Sequence, residues 1–314
     1  MKVLGEDIPY HFIMGICGAG FCLKWRPGRW QSDCGGYLHI YGDEPFGPFL
    51  RAIEATGYEC VAMKPGKKEY DIQNIISSID AGIPVLSFGF IGPPECCIIA
   101  GYDDGGEVLF GWSYYPGEEE FNTVSTDPTG YLRKRLWHEC KGNENMGYIF
   151  FKGKKERPPL RQIYVKALKW AVKYTRTPMD GDLPNGLAAY KAWADDMIQD
   201  KFFPAENKDV INNRYLTIAY HQMWFDERGL TATFLRQIAE DESDLASDLL
   251  AAADCYAEIA QLDLDSHKLK LEAFEQLPDP SIRRIFSLIL LKMRDKEEEA
   301  ISHIEHCLAG IDET

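Results

Sequence analysis

Apolar residues in the first part of the chain recur with helical spacing and then with strand spacing. Residues 48–57 predict a short helix with Phe49, Leu50 and Ile53 on one face, and residues 58–63 predict a strand. A second predicted helix has Asp71 as its N-cap and Gly82 after its end, and its apolar face consists of Ile72, Ile75, Ile76 and Ile79.

The next segment carries strand patterns separated by turn residues. Strands are predicted at residues 83–88, 96–102 and 108–115, with Asp103-Asp-Gly-Gly106 as the hairpin turn between the last two. A later strand is predicted at residues 147–151. The first 155 residues are therefore predicted to form helices followed by a mainly antiparallel sheet, which is an α+β fold class.

The second half of the chain has mostly helical patterns. Residues 152–159 are charged and end in two prolines, which is typical of a linker. Asp279-Pro280 predicts a helix start with proline at the first helical position. Helical spacing is also shown by Leu187, Tyr190, Ala194, Met197 and Ile198. We therefore predict an α+β domain at residues 1–155 and an all-α domain at residues 156–314.

Composition narrows the functional classes. The 314 residues contain 34 Lys and Arg but 49 Asp and Glu, a net charge of −15, which argues against nucleic-acid binding. A membrane span is not expected, because the chain has no run of about 18 apolar residues. The acidic opening residues do not resemble a secretory signal, and the nine cysteines have neither zinc nor disulfide spacing. These features predict a cytoplasmic protein without a metal or cofactor, and they do not indicate its oligomeric state.

Cys17 is the main candidate for chemistry. It lies within a cluster of small residues at 15–20, where one backbone can approach another closely. We predict that Cys17 begins a helix beneath a cleft, where the positive end of the helix dipole would favour a thiolate nucleophile. The alternative is that Cys17 and Cys22 are small buried core residues.

Three motifs resemble those of papain-like proteins. They are Cys17-Gly18, the segment Ala81-Gly-Ile-Pro-Val-Leu86, and Glu95-Cys-Cys-Ile-Ile-Ala-Gly101-Tyr-Asp-Asp-Gly-Gly106. Residues 8–115 are similar to the double-glycine leader peptidases and to the acyl-transfer family named after the N-terminal domain of butirosin biosynthesis protein H. The resemblance implies a papain-like fold, with the catalytic cysteine at the head of a helix and the catalytic histidine on a later strand.

The chain departs from this pattern at several positions. The resemblance expects a catalytic histidine where Glu95 stands, and the residue that orients it near Trp112 or Ser113. His11 stands six residues before Cys17, where these proteins usually carry an oxyanion-hole glutamine. A carboxylate is a poor base for a thiol, so catalysis would require His11 or His39 to reach Cys17. The candidate catalytic residues are Cys17, His11 and Glu95.

Two functions remain open. The first is a papain-like protein with a degenerate catalytic site that binds a peptide or an acyl-type small molecule in its cleft. The alternative is an active thiol acyltransferase or amide hydrolase that uses Cys17 with His11. The candidate ligand-binding residues are Trp25, Tyr37, Trp112 and Ser113, although loop aromatics such as Trp25 are as often packed in a core.

Two other groups of side chains suggest sites, each with a simpler explanation. His303 and His306 are spaced to share one helix face and could bind a metal, but a solvated helix face explains them better. Residues 221–228 mix aromatic and charged side chains, which is typical of an inter-domain contact or of ordinary helix packing.

Overall fold

The computed structural model describes residues 4–30, 46–90, 95–113, 124–126, 128–135, 137–138, 146–271 and 274–312. The chain divides into two compact units. The sheet unit comprises Met1–Ile8 and Phe49–Arg157, and the helical unit comprises Pro9–Pro48 and Pro158–Thr314.

The regular elements are numbered in chain order. The described α-helices are α1 (Tyr10–Cys17), α2 (Gly47–Ala55), α3 (Lys68–Asp80), α4 (Leu160–Arg176), α5 (Leu187–Met197), α6 (Lys208–Asp241), α7 (Ala246–Leu271) and α8 (Pro280–Asp312). The described strands are β1 (Tyr58–Met63), β2 (Val85–Phe88), β3 (Cys96–Asp103), β4 (Val108–Trp112), β5 (Val124–Thr126), β6 (Leu132–Arg135), β7 (Gly147–Lys154), β8 (Met179–Asp180) and β9 (Leu183–Pro184). None of these helices combines the length and the apolar content that a membrane crossing requires.

A single antiparallel sheet organises the sheet unit. Its seven described strands lie in the order β1-β7-β2-β3-β4-β6-β5, and each strand is antiparallel to its neighbours. One face carries the hydrophobic core, in which Ile75 of α3 clusters with Val85, Ile99, Leu109 and Tyr148. On the opposite face, the ring of Phe49 from α2 meets the ring of Phe88 edge-on, with 4.9 Å between their centroids.

The helical unit includes the segment that precedes the sheet unit in the chain. Helix α1 packs against α6 so closely that a β-carbon at Gly15 would lie 2.2 Å from the Phe234 ring. The backbone N–H of Trp25 donates to the carbonyl of Pro184 at 3.1 Å, which adds this segment to the small β8–β9 sheet. Residues 9–30 are therefore an integral part of the helical unit.

The structure confirms the predicted α+β class, with an antiparallel sheet in the N-terminal half and helices in the C-terminal half. Strand β1 and the start of α8 at Pro280 lie where the sequence predicts them. Asp71 is not the N-cap of its helix. Helix α3 begins at Lys68, and Asp71 lies in its first turn, where its carboxylate accepts a bond from the Gly66 N–H at 2.9 Å.

The division into units differs from the domains predicted at residues 1–155 and 156–314. The boundary between Arg157 and Pro158 lies within the predicted linker, but residues 9–48 belong to the helical unit. The reason is that α1 and the segment after it pack on α6, which is far from them in the sequence. Local patterns do not report such contacts.

Candidate functional site

Cys17 lies at the opposite end of its helix from the predicted one. Helix α1 begins at Tyr10, after Pro9, and Cys17 is its last residue. Gly18 then adopts a left-handed conformation with a φ of 86°, and this C-cap ends the helix. The sequence contains both signals, a proline before the first turn and a glycine after the last, and they outweigh the expected helix start at the cysteine.

The surroundings of Cys17 are those of a core residue. Its side chain is 2% exposed. Its Sγ donates to the Met14 carbonyl at 3.3 Å and accepts a bond from the Ala19 N–H at 3.5 Å. The negative end of a helix dipole lies at the C-terminus and disfavours a thiolate there. This position therefore lacks the activation that was predicted for a nucleophile.

His11 is not placed to act on Cys17. The two residues are six positions apart in α1, which separates them by about 9 Å along the helix axis and turns them about 120° apart around it. His11 instead shares a hydrogen bond between its Nε2 and Gln237 Oε1 at 2.9 Å. The predicted Cys17–His11 pair is therefore not formed, and His11 links α1 to α6.

Glu95 immediately precedes β3, and its backbone carbonyl accepts a bond from the Gly89 N–H at 3.2 Å. It belongs to the sheet unit, whereas Cys17 and His11 belong to the helical unit. Glu95 is half-buried at the end of the strand in which the papain-like pattern expects a histidine.

Four further thiols, those of Cys60, Cys96, Cys255 and Cys307, are not activated either. Burial raises the pKa of Cys96 to about 12, and the neighbouring Cys97 and Glu95 add to the effect. Burial also raises the pKa of Cys60, and it raises those of Cys255 and Cys307 to about 11. None of the seven cysteines that the structure describes is in a disulfide. These four thiols are therefore protonated at neutral pH.

Only one of the predicted ligand-binding residues is exposed among those that the structure describes. Trp25 is fully buried and stacks on Trp193, with 4.8 Å between the ring centroids, so it is a core residue of the helical unit. Ser113 is also buried, while Trp112 at the end of β4 is 44% exposed. Tyr37 lies outside the described residues.

Trp112 belongs to a row of apolar residues across the sheet. It lies directly opposite Ile98 of β3, and Ile98 lies opposite Leu86 of β2. We call Leu86, Ile98 and Trp112 the apolar row. Leu86 is half-buried, and Ile98 is 37% exposed. The row is on the face opposite the α3 core, because Val85, Cys97 and Ile99, which alternate with Leu86 and Ile98 along β2 and β3, belong to that core.

Sequence reasoning missed an ion pair at the centre of the helical unit. Arg228 of α6 and Glu297 of α8 are 0% and 1% exposed, and Arg228 Nη2 lies 2.9 Å from Glu297 Oε2. The hydroxyl of Tyr190 donates to Glu297, and Arg228 Nη1 donates to the Cys22 carbonyl at 2.8 Å. In the predicted segment 221–228, the side chains of His221, Gln222, Phe225 and Arg228 are thus buried in the core of the helical unit. The only sequence signal was an arginine within an aromatic-rich helix.

His303 and His306 face a shared carboxylate. Nδ1 of His306 is 2.8 Å from one oxygen of Asp248 on α7, and Nδ1 of His303 is 3.6 Å from the other. Across the described parts of the chain, no group of three or more His, Cys, Asp or Glu side chains is arranged to hold a metal ion. The two histidines therefore serve as contacts between α7 and α8.

Comparisons with known proteins do not extend this description. No family model matches the chain, and no curated protein matches it.

Proposed function

We propose that this protein binds a peptide or an acyl-type small molecule, without thiol catalysis, on a scaffold similar to the papain-like fold. The ligand lies on the apolar row of the seven-stranded sheet. Support for the scaffold comes from the Gly101-Tyr-Asp motif on β3 and from the antiparallel sheet around it.

The exposure of Trp112 beside Ile98 is the observation that carries this proposal. The two side chains are 44% and 37% exposed and lie directly opposite each other on neighbouring strands. A ligand that covers both removes on the order of 150 Å² of apolar surface from water, which contributes about 4 kcal/mol. That free energy alone corresponds to a Kd of about 1 mM, and further contacts would tighten binding.

The absence of thiol catalysis in the proposal follows from the position of Cys17. A cysteine nucleophile requires a base within hydrogen-bond reach and surroundings that favour the thiolate. Cys17 is buried at the C-terminal end of α1, and His11 is about 9 Å away along the helix axis, near the N-terminal end. These features favour the binding function over the acyltransferase or hydrolase.

The proposal is tested with N-octanoylglycine amide, a neutral acyl probe, in a ligand-observed NMR titration. Wild-type protein should bind the probe, and Trp112→Ala should weaken binding about tenfold, because the largest apolar surface of the row is removed. Val61→Ala is the matched control. Val61 is 40% exposed on β1 but lies opposite Phe150, a member of the core on the other face. Equal binding by wild type and Trp112→Ala would refute the proposed site.

A second experiment tests the absence of catalysis. The protein is incubated with the thioester S-octanoyl-N-acetylcysteamine, and acyl adducts are located by mass spectrometry. We expect no adduct on Cys17. An octanoyl group on the Cys17 sulfur, formed with release of N-acetylcysteamine, would overturn the non-catalytic assignment and favour an acyltransferase.

A further inference from the structure

Arg133 lies beside the apolar row. It is directly opposite Phe110, and its guanidinium carbon is 4.4 Å from the centroid of the Phe110 ring. Phe110 is two residues before Trp112 on β4, and alternate residues of a strand share a face. Arg133 therefore occupies the same face of the sheet as Trp112, about 7 Å further along the strand.

The guanidinium of Arg133 is held in place by two contacts. Its Nη2 donates to Asp103 Oδ2 at 3.0 Å, and its guanidinium carbon lies over the Phe110 ring. Asp103 also accepts a bond from the Asp104 N–H at 2.7 Å, and this bond, followed by the bond from Arg133, lowers the pKa of Asp103. The carboxylate thus remains charged at neutral pH. An arginine oriented in this way loses little side-chain entropy when it binds a ligand.

We infer that the ligand of the apolar row carries a carboxylate and that Arg133 binds this group. The inference rests on the proposed function. A guanidinium has five N–H donors, and the bond to Asp103 engages one of its three nitrogen atoms. Planar guanidinium groups match the two oxygens of a carboxylate. The ligand class is therefore an apolar chain that covers Trp112 and carries a terminal carboxylate about 7 Å from it, at Arg133. An N-acyl amino acid and a peptide with a free C-terminus both have this form.

Arg135 provides a matched comparison on the same strand. It lies opposite Val108 and pairs with Asp104 through an Nη1–Oδ2 distance of 2.9 Å. Its side chain is thus on the same face and in a similar exposed ion pair, but it is two residues further from the row. A ligand seated on Trp112 that reaches Arg133 does not extend to Arg135.

The test compares N-octanoylglycine with its neutral amide in NMR titrations at 0.15 M ionic strength, where charge interactions decay over about 8 Å. Wild-type protein should bind the carboxylate about fivefold more tightly than the amide, even though the chain carries a net charge of −15. Arg133→Gln should abolish this preference. Arg135→Gln should keep the preference.

The outcomes separate this inference from the proposed function. Equal affinity of wild type for the two probes, or a preference that survives in Arg133→Gln, would overturn the role of Arg133, while amide binding that depends on Trp112 would still support the row. Binding of neither probe, or amide binding that does not depend on Trp112, would overturn the proposed function and this inference with it.

Discussion

The buried ion pair of Arg228 and Glu297 supports a quantitative prediction. Glu297→Gln preserves the size of the side chain but removes the charge that compensates the fully buried Arg228. Breaking a buried pair by neutralising one partner costs about 3–5 kcal/mol, because the remaining charge stays in a poorly solvating interior. The free energy of unfolding should fall by that amount, a large part of the roughly 5–15 kcal/mol of an ordinary domain.

The neighbouring position on the same helix supplies the control. Glu298 is more than half exposed and pairs with Arg176 at 3.0 Å, so Glu298→Gln should change stability by less than about 1 kcal/mol. Urea denaturation followed by circular dichroism at the helical wavelength measures both variants. If Glu297→Gln and Glu298→Gln are equally stable, the network around Arg228 does not stabilise the helical unit as described.

The hydroxyl of Tyr190 extends this test. It donates to Glu297, so Tyr190→Phe should cost about 1 kcal/mol in wild type and much less when Glu297 is already Gln. Additive effects of the two substitutions would show that the two side chains do not act as one network.

The remaining predictions concern packing, pH and thiol reactivity. Gly15→Ala should destabilise the helical unit by about 1–3 kcal/mol, because the new β-carbon would lie 2.2 Å from the Phe234 ring. Gly310→Ala on α8 is the control: its β-carbon would meet nothing within 4 Å, so this variant should be neutral or stabilising in the same urea assay. Burial raises the pKa of Asp71, so the folded state binds the carboxyl proton of Asp71 more tightly than the unfolded state does. The free energy of unfolding of wild type should therefore fall relative to that of Asp71→Asn as the pH rises from 4 to 7. A relative gain in urea titrations would contradict this. In native protein, iodoacetamide should alkylate the half-buried Cys60 before the buried Cys17, and mass spectrometry showing the reverse order would mean that Cys17 is accessible.

Local signals in the sequence account for much of the sheet unit. The alternation at Tyr58–Met63 and the turn residues after Asp103 predict β1 and the β3–β4 hairpin, because each depends on residues close together in the chain. Cys97 and Ile99 point into the core and Ile98 away from it, as a period of two requires. Trp112 lies opposite Ile98 and is 44% exposed, and its role as a ligand-binding residue stays a prediction.

The site around Cys17 could not be predicted in the same way. The papain-like resemblance suggested a helix that starts at Cys17, but Pro9 and Gly18 set the ends of α1 so that Cys17 is last. The burial of Trp25 and the partner of Arg228 depend on contacts between residues separated by 168 and 69 positions. No local pattern encodes such pairs, so a core tryptophan and a loop tryptophan look alike in sequence.

The order of the two units along the chain has a consequence for synthesis. The segment at Pro9–Pro48 belongs to the helical unit, yet all of Phe49–Arg157 is made before α6, the helix on which α1 packs. His11 meets Gln237 and Cys22 meets Arg228 only after more than two hundred further residues have left the ribosome. Until then, Phe12, Phe21 and Trp25 remain uncovered by α6, and such exposed apolar segments bind chaperones or aggregate. The nascent chain therefore carries an apolar N-terminal segment until α6 is made, and slower elongation between this segment and the end of α6 should lower its soluble yield more than slower elongation after α6.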